Sequence, residues 1–304
     1  MGFARADGRL MACYPEYGSY RPAAVALGSV CARVERDPVF ALPGAGDSFV
    51  SFREGPGEAQ SGVLARETAA AIKQAPVDFN HPPREYVVHR LHGWEVLVEK
   101  QLAGEDAGLA KAAIARLECA LGETAAVLPT NALPDLQQLK IFLMYGPQAK
   151  AGGRSRGLQY FGADAPRHHA WLDARMVSSI VIFSADNYVQ LSEFWALKAL
   201  VHEFGHAQHL EHWPENRADI FDTWEAAMGA GLYQVVRDED KDTHHPNYAA
   251  QNHLEYFAEL TATYFAGNNY FPRDRAALRD YDPAGCTLIE CLWGIGGQPE
   301  ASKP

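Results

Sequence analysis

Apolar positions change their spacing along the chain. Tyr86 to Leu91 and Trp94 to Glu99 are short runs rich in β-branched and aromatic residues that meet at His92-Gly93. Such a pair predicts a hairpin. Between Glu105 and Leu121 the apolar residues Ala110, Ile114, Leu117 and Leu121 recur at i, i+4, i+7 and i+11. That spacing is the stripe of an amphipathic helix, stopped before Pro129. Leu139 to Tyr145 predicts a strand, and Gly146 to Gly157 a loop containing Gly and Arg. Ser179 to Phe183 is continuously apolar and predicts a short buried strand.

Helices dominate from there on, beginning with a stretch that has no Gly or Pro except Gly205. Ser192 to Glu211 predicts a long helix with Ser192 as its N-cap. Residues 217–236 predict a second helix, weakened in its middle by Gly229 and Gly231. Asn252 to Phe265 predicts a third, and Arg273 to Asp280 a short fourth. Mixed strands followed by helices imply an α+β fold. Residues 1–84 differ, being rich in Gly and Pro with short apolar pieces at Val39 to Leu42 and Ser48 to Phe52 and a linker-like stretch from Arg53 to Gly62. The expected division is a small β-rich or irregular N-terminal region, 1–84, and a main domain, 85–304.

Charge narrows the function classes. The 27 Lys and Arg against 38 Asp and Glu give a net charge of −11. No basic stripe is present to neutralise phosphates, so neither nucleic acid nor an anionic membrane is an expected partner. No apolar run reaches the 18 or more residues of a membrane span, and no signal-peptide pattern opens the chain, so a cytoplasmic location is expected. The five Cys are scattered without a CxxC pair and are expected to be reduced thiols. The 12 His stand out.

Two of them form His202-Glu203-Phe204-Gly205-His206, an HExxH on the predicted 192–211 helix. Residues i and i+4 share a helix face about 6 Å apart along the axis, so two imidazoles can converge on one zinc ion. Glu203 sits at the rim of that face, placed to take a proton from a water. The flank of Trp195, Leu197, Leu200 and Val201 is apolar, which argues against two ordinary surface histidines.

A third ligand is needed. His212 would complete HExxHxxGxxH, but His209 stands where that pattern has its chain-turning Gly. On a continuous helix His212 is about 15 Å along the axis from His202, beyond reach of the same ion. Met228, which could serve as a Met-turn, sits inside a helix-like run. The other choice is Glu255, within Tyr248-Ala-Ala-Gln-Asn-His-Leu-Glu255-Tyr-Phe-Ala-Glu259.

HExxH followed by Tyr-x6-Glu-Tyr-Phe-Ala-Glu resembles the lethal-factor and Pro-Pro endopeptidase family of gluzincin-like metalloproteases. It is closer still to bacterial zinc metallopeptidase-like proteins with an NHxEYFAE segment and a later YFP stretch, here Asn268 to Pro272. The resemblance covers roughly residues 130–285 and departs from the pattern at His209 and His212. It implies a zincin-like fold with a mixed sheet and a helical C-terminal half. It implies Zn2+ held by His202, His206 and Glu255, with Glu203 as general base and Tyr248 as electrophilic assistant. Glu259 would hold a ligand imidazole by its other ring N–H.

The spacing agrees, since Glu255 and Glu259 are i and i+4 on one helix face. Asn252-x-x-Glu255 also fits a capping box. His209 is expected beside the metal ligands or facing solvent, since three imidazoles at 202, 206 and 209 span about 10 Å. His168 and His169 are expected on a loop surface, while His245 and His253, near Tyr248, are within range of the site.

The expected function is therefore a hydrolase, a zinc metallopeptidase acting on a peptide or amide-containing substrate. A hydrolase of a non-peptide small molecule on the same scaffold, and a catalytically silent binding module, are the alternatives. Because Ser179 to Phe183 precedes the HExxH helix, it is expected to be the edge strand that pairs with substrate.

Overall fold

The structure is a computed structural model. It describes residues 84–238 and 243–295, with side chains over 84–236 and 245–295, and the backbone of three N-terminal strands. The chain divides into two units, Met1–Pro76 and Val77–Pro304. In the first, β1 (Gly2–Ala6), β2 (Arg9–Glu16) and β3 (Ser19–Val25) form an antiparallel meander. The expected features at Val39 to Leu42, Ser48 to Phe52 and Arg53 to Gly62 lie outside the described residues.

The second unit is α+β, built on a mixed five-stranded sheet ordered β4-β5-β6-β8-β7. The hairpin is present, β4 (Tyr86–Leu91) pairing antiparallel with β5 (Trp94–Glu99). Its two-residue turn places both His92 (φ 47°) and Gly93 (φ 95°) in the left-handed region, as tight hairpin turns require. Next, β5 runs parallel to β6 (Lys140–Leu143), and β6 parallel to β8 (Ser179–Ile182). Finally β8 pairs antiparallel with β7 (Leu158–Phe161).

This order corrects the expectation for 179–183. β8 is an internal strand, buried at every position, and β7, its neighbour, is the edge on that side. A continuous apolar run marks a strand flanked and covered on both sides. The true edge is a four-residue piece with a polar Gln159 following a Gly- and Arg-containing loop.

Among the described residues, ten helices follow the strands or lie between them. They are α1 (Lys100–Glu105), α2 (Ala107–Val127), α3 (Leu133–Leu136), α4 (Ala165–His168), α5 (Ala185–Gln190), α6 (Glu193–His212), α7 (Ala218–Gly229), α8 (His253–Phe265), α9 (Arg275–Tyr281) and α10 (Pro283–Leu292). Ser192 caps α6 by accepting from Trp195 N, and Asn252 caps α8 by accepting from Glu255 N. The expected 217–236 helix ends at Gly229, because Gly231 (φ 77°) and Tyr233 (φ 64°) turn the chain out of helical geometry. The expected fourth helix appears as α9, and α10 is an addition, with Asp282 as cap and Pro283 in its first turn.

Strand residues alternate between two apolar clusters. Val96, Val98, Ile141, Leu143, Ile180 and Ile182 pack with the helices, including Phe204 of α6 and Phe257 of α8. Leu97, Phe142, Val181 and Phe161 join Leu172, Met176 and Phe183 in a second cluster. The period-two pleat sends these two sets to opposite faces. No described helix is long and apolar enough to cross a membrane. Cys119, Cys286 and Cys291 are free thiols.

Candidate metal centre

The site forms where α6 packs on α8. Gly205 permits the contact, since a Cβ there would fall 2.8 Å from Ala258 Cα and 3.1 Å from Thr261 Cβ. The third residue between the two histidines is thus a packing requirement of the helix pair.

Side chains from the two helices interleave. His202 Nε2 lies 3.1 Å from Glu255 Oε2, and His202 Nδ1 lies 3.1 Å from Glu259 Oε2. His206 Nε2 is 3.3 Å from the same Glu255 oxygen, yet it makes no hydrogen bond and is fully buried. One ligand atom from each of His202, His206 and Glu255 falls within 4.8 Å of the others.

The donor set suits a metal. Two imidazole nitrogens and one carboxylate oxygen are an ordinary three-ligand set for zinc with one position left for water. The buried His206 Nε2 has only its 3.3 Å ion-pair contact with Glu255, which leaves it able to take a ligand. Three carboxylates, Glu203, Glu255 and Glu259, are buried at the two histidines, and Glu259 alone is paired with a buried ammonium, Lys198.

Electrostatics set the state of the side chains by themselves. Burial acts to lower the His202 pKa, but hydrogen bonds and charge from Glu255 and Glu259 outweigh it and push it up to about 10. Burial acts to raise Glu255, and the charges of His206 and His202 overcome it, bringing it down to about 2. Glu259 is held well below the usual carboxylate range, since Lys198 and His202 outweigh burial. Glu203 moves the other way, raised by burial against the opposing charge of His202 and His206.

Glu203 is also anchored. Its Oε2 accepts the Tyr160 backbone N–H of β7 at 2.7 Å, so the free side of the edge strand faces this carboxylate. Tyr248 lies in a single 3-10 turn, Tyr248–Ala250, capped by Asn247. It is 41% exposed, and its ring centroid is 5.5 Å from that of His202.

The capping-box reading of Glu255 is half present. Asn252 caps its N–H, but its carboxylate goes to His202 and His206. His209 is not solvent-facing. It is wholly buried, with Nε2 3.2 Å from the Pro214 carbonyl and its ring against Phe257 and His253, and no contact joins it to Glu255 or Glu259. His212 is exposed beside Trp213.

Among the described residues, four other histidines named from the sequence lie outside the ligand group. His253 reaches the Glu215 carbonyl at 2.9 Å, and His245 packs on Tyr270. His169 packs on Phe161 and Trp171, and His168 is exposed.

Four contributors escaped the sequence reading: Lys198, Asn268, Tyr270 and Tyr160. The first three surround Glu259. Lys198 carried a signal, a charge four residues before His202 on its helix face, among apolar neighbours. Tyr160 carried none, because its part is played by its main chain. Comparison of the chain with protein-family models, curated proteins and solved structures finds no match.

Proposed function

We propose that the protein is a zinc-dependent metallopeptidase whose second unit is a zincin-like catalytic domain. The observation that carries this reading is the convergence of His202, His206 and Glu255 beside a buried Glu203 that is hydrogen-bonded to the edge strand. A non-catalytic metal site has no need of a carboxylate held next to the ligands with its pKa raised by burial.

When bound, zinc supplies a Lewis acid that makes water acidic enough to lose a proton near neutrality. Glu203 takes that proton and delivers it to the leaving nitrogen, a role suited to a carboxylate whose pKa burial raises. Its hydrogen bond from Tyr160 fixes the carboxylate's direction. The Tyr248 hydroxyl donates to the carbonyl oxygen as negative charge develops there. The substrate chain lies along β7 and extends the sheet through the free-side main-chain groups other than the Tyr160 N–H, which Glu203 takes.

A peptide-library digest by the purified protein tests the reading. Cleavage is expected to stop on chelation and to return with zinc, and Glu203→Gln is expected to bind zinc without cleaving. Cleavage that persists in chelator, or in Glu203→Gln, would sink it.

A further inference from the structure

Glu259 sits in an unusually complete cradle. Its Oε1 accepts from Lys198 Nζ at 2.8 Å, from Asn268 Nδ2 at 2.9 Å and from the Tyr270 hydroxyl. Its other oxygen faces His202 Nδ1. Lys198 is itself buried, 5% exposed, with its ammonium 4.7 Å from the Tyr270 ring centroid and 5.0 Å from that of Trp195. Lys198, His202 and His206 occupy successive turns of one face of α6, and Glu259 and Glu255 occupy successive turns of α8. The side chains alternate between helices in the order Lys198, Glu259, His202, Glu255, His206.

A buried lysine is rare unless its charge has work to do, because desolvating an ammonium is costly. Here the ammonium meets a carboxylate that touches no proposed ligand except His202. An imidazole that binds metal through one nitrogen needs its other nitrogen held by an acceptor, which fixes the ring's tautomer and aim. A lone buried carboxylate can turn or take up a proton, and in either state it is a poor acceptor. A cation on its far oxygen prevents both.

We infer that Lys198 is a positioning residue of the metal centre, holding Glu259 as the fixed anionic acceptor that turns His202 so that Nε2 faces the metal. This rests on the metallopeptidase reading only in that it requires a metal at His202, His206 and Glu255. Lys198 acts through Glu259, and Tyr270 and Asn268 complete the cradle without supplying charge.

The test is zinc titration of the full chain, comparing wild type, Lys198→Met, Glu259→Gln and the double variant. Lys198→Met is expected to raise the zinc Kd by about ten- to a hundredfold, the range for partners that orient a ligand. The visible spectrum of the cobalt-loaded variant is expected to change, because the His202 ring is re-aimed. Added to Glu259→Gln, the same change is expected to cost less than about twofold more, since residues acting as one unit are not additive. Lys198→Gln, which keeps a donor and removes the charge, carries the same test should Met at this position prevent folding.

Unchanged zinc affinity and cobalt spectrum in a folded Lys198 variant would overturn the inference and leave the metallopeptidase reading standing. Effects of Lys198→Met and Glu259→Gln that simply multiply would likewise show that Lys198 does not act through Glu259. A wild-type chain that binds no zinc would overturn both.

Discussion

His202 and His209 lie seven residues apart on α6, and both are buried. Their pKa values move in opposite directions. His202 is pushed up to about 10 and His209 down to about 4. The helix is the same, so the difference comes from what it faces. The middle of α6 faces two carboxylates of α8. The end of α6 faces Phe257, His253 and a backbone carbonyl, and there burial lowers His209, helped by the charges of His253, His206 and Arg217. A histidine's role on a helix is set by the opposite element as much as by its own spacing.

The most forceful way to break the comparison is to exchange the two sites. His202→Ala removes a proposed ligand and is expected to weaken zinc by more than about a hundredfold, beyond the effect of losing an orienting partner. His209→Gln is expected to leave the zinc Kd within about twofold. Zinc titration of both variants is the measurement. A large loss in His209→Gln would place this residue at the metal after all.

Acid stability sharpens the comparison further. The folded pKa of His209, about 4, lies below the ordinary 6.5, so the unfolded chain binds more protons between those values. Its contribution is complete above pH 6.5 and is lost as pH falls towards 4, to a total of up to about 3 kcal/mol. His202 without metal behaves oppositely. Its folded pKa is raised, so its contribution is complete below pH 6.5 and is lost as pH rises towards 10. Urea unfolding of the metal-free protein is expected to show both limbs. His209→Gln is expected to flatten the acid limb alone, and zinc to remove the alkaline one.

Gly205→Ala tests whether the helix contact underlies the contrast. Ala is the better helix former by about 1 kcal/mol. Its Cβ, however, would meet the Ala258 backbone, which cannot give way cheaply. Overpacking costs of about 1–3 kcal/mol exceed the helical gain, so a net loss of about 1 kcal/mol is expected. Weaker zinc binding should accompany it as α6 and α8 separate. A variant more stable than wild type would show that the close approach is not needed.

Much of this centre was legible in the sequence, for reasons that differ by residue. His202, His206, Glu255 and Glu259 share the four-residue spacing of one helix face, and spacing is a property of sequence. The α+β character was legible too, since β5 is rich in β-branched residues, α2 carries a helical period and α6 has no Pro and a single Gly. What stayed hidden depends on three-dimensional neighbours. The Ser179–Ile182 strand is apolar because it is internal, and nothing in its residues tells an internal strand from an edge beside a helix. Lys198 shows in the sequence as a charge on the ligands' helix face, but its partner is hidden until Glu259 is placed opposite it. Tyr160 contributes a main-chain N–H, which every non-proline residue has.

Tyr160 also joins the two regions of α6. Its N–H goes to Glu203 in the middle of the helix, and its hydroxyl goes to Glu211 near the end, at 2.5 Å. The edge strand is therefore tied to α6 at two points two turns apart. Tyr160→Phe removes only the outer tie, leaving the main-chain bond in place. A hydrogen bond to a charged acceptor contributes about 1.5–3 kcal/mol, and exposed Glu211 puts this one at the low end, so a loss of about 1.5 kcal/mol is expected in urea unfolding. Glu211→Gln keeps an acceptor without the charge and is expected to lose about half as much. No loss from Tyr160→Phe would mean that the aromatic body of Tyr160, rather than its hydroxyl, holds β7 against the end of the helix.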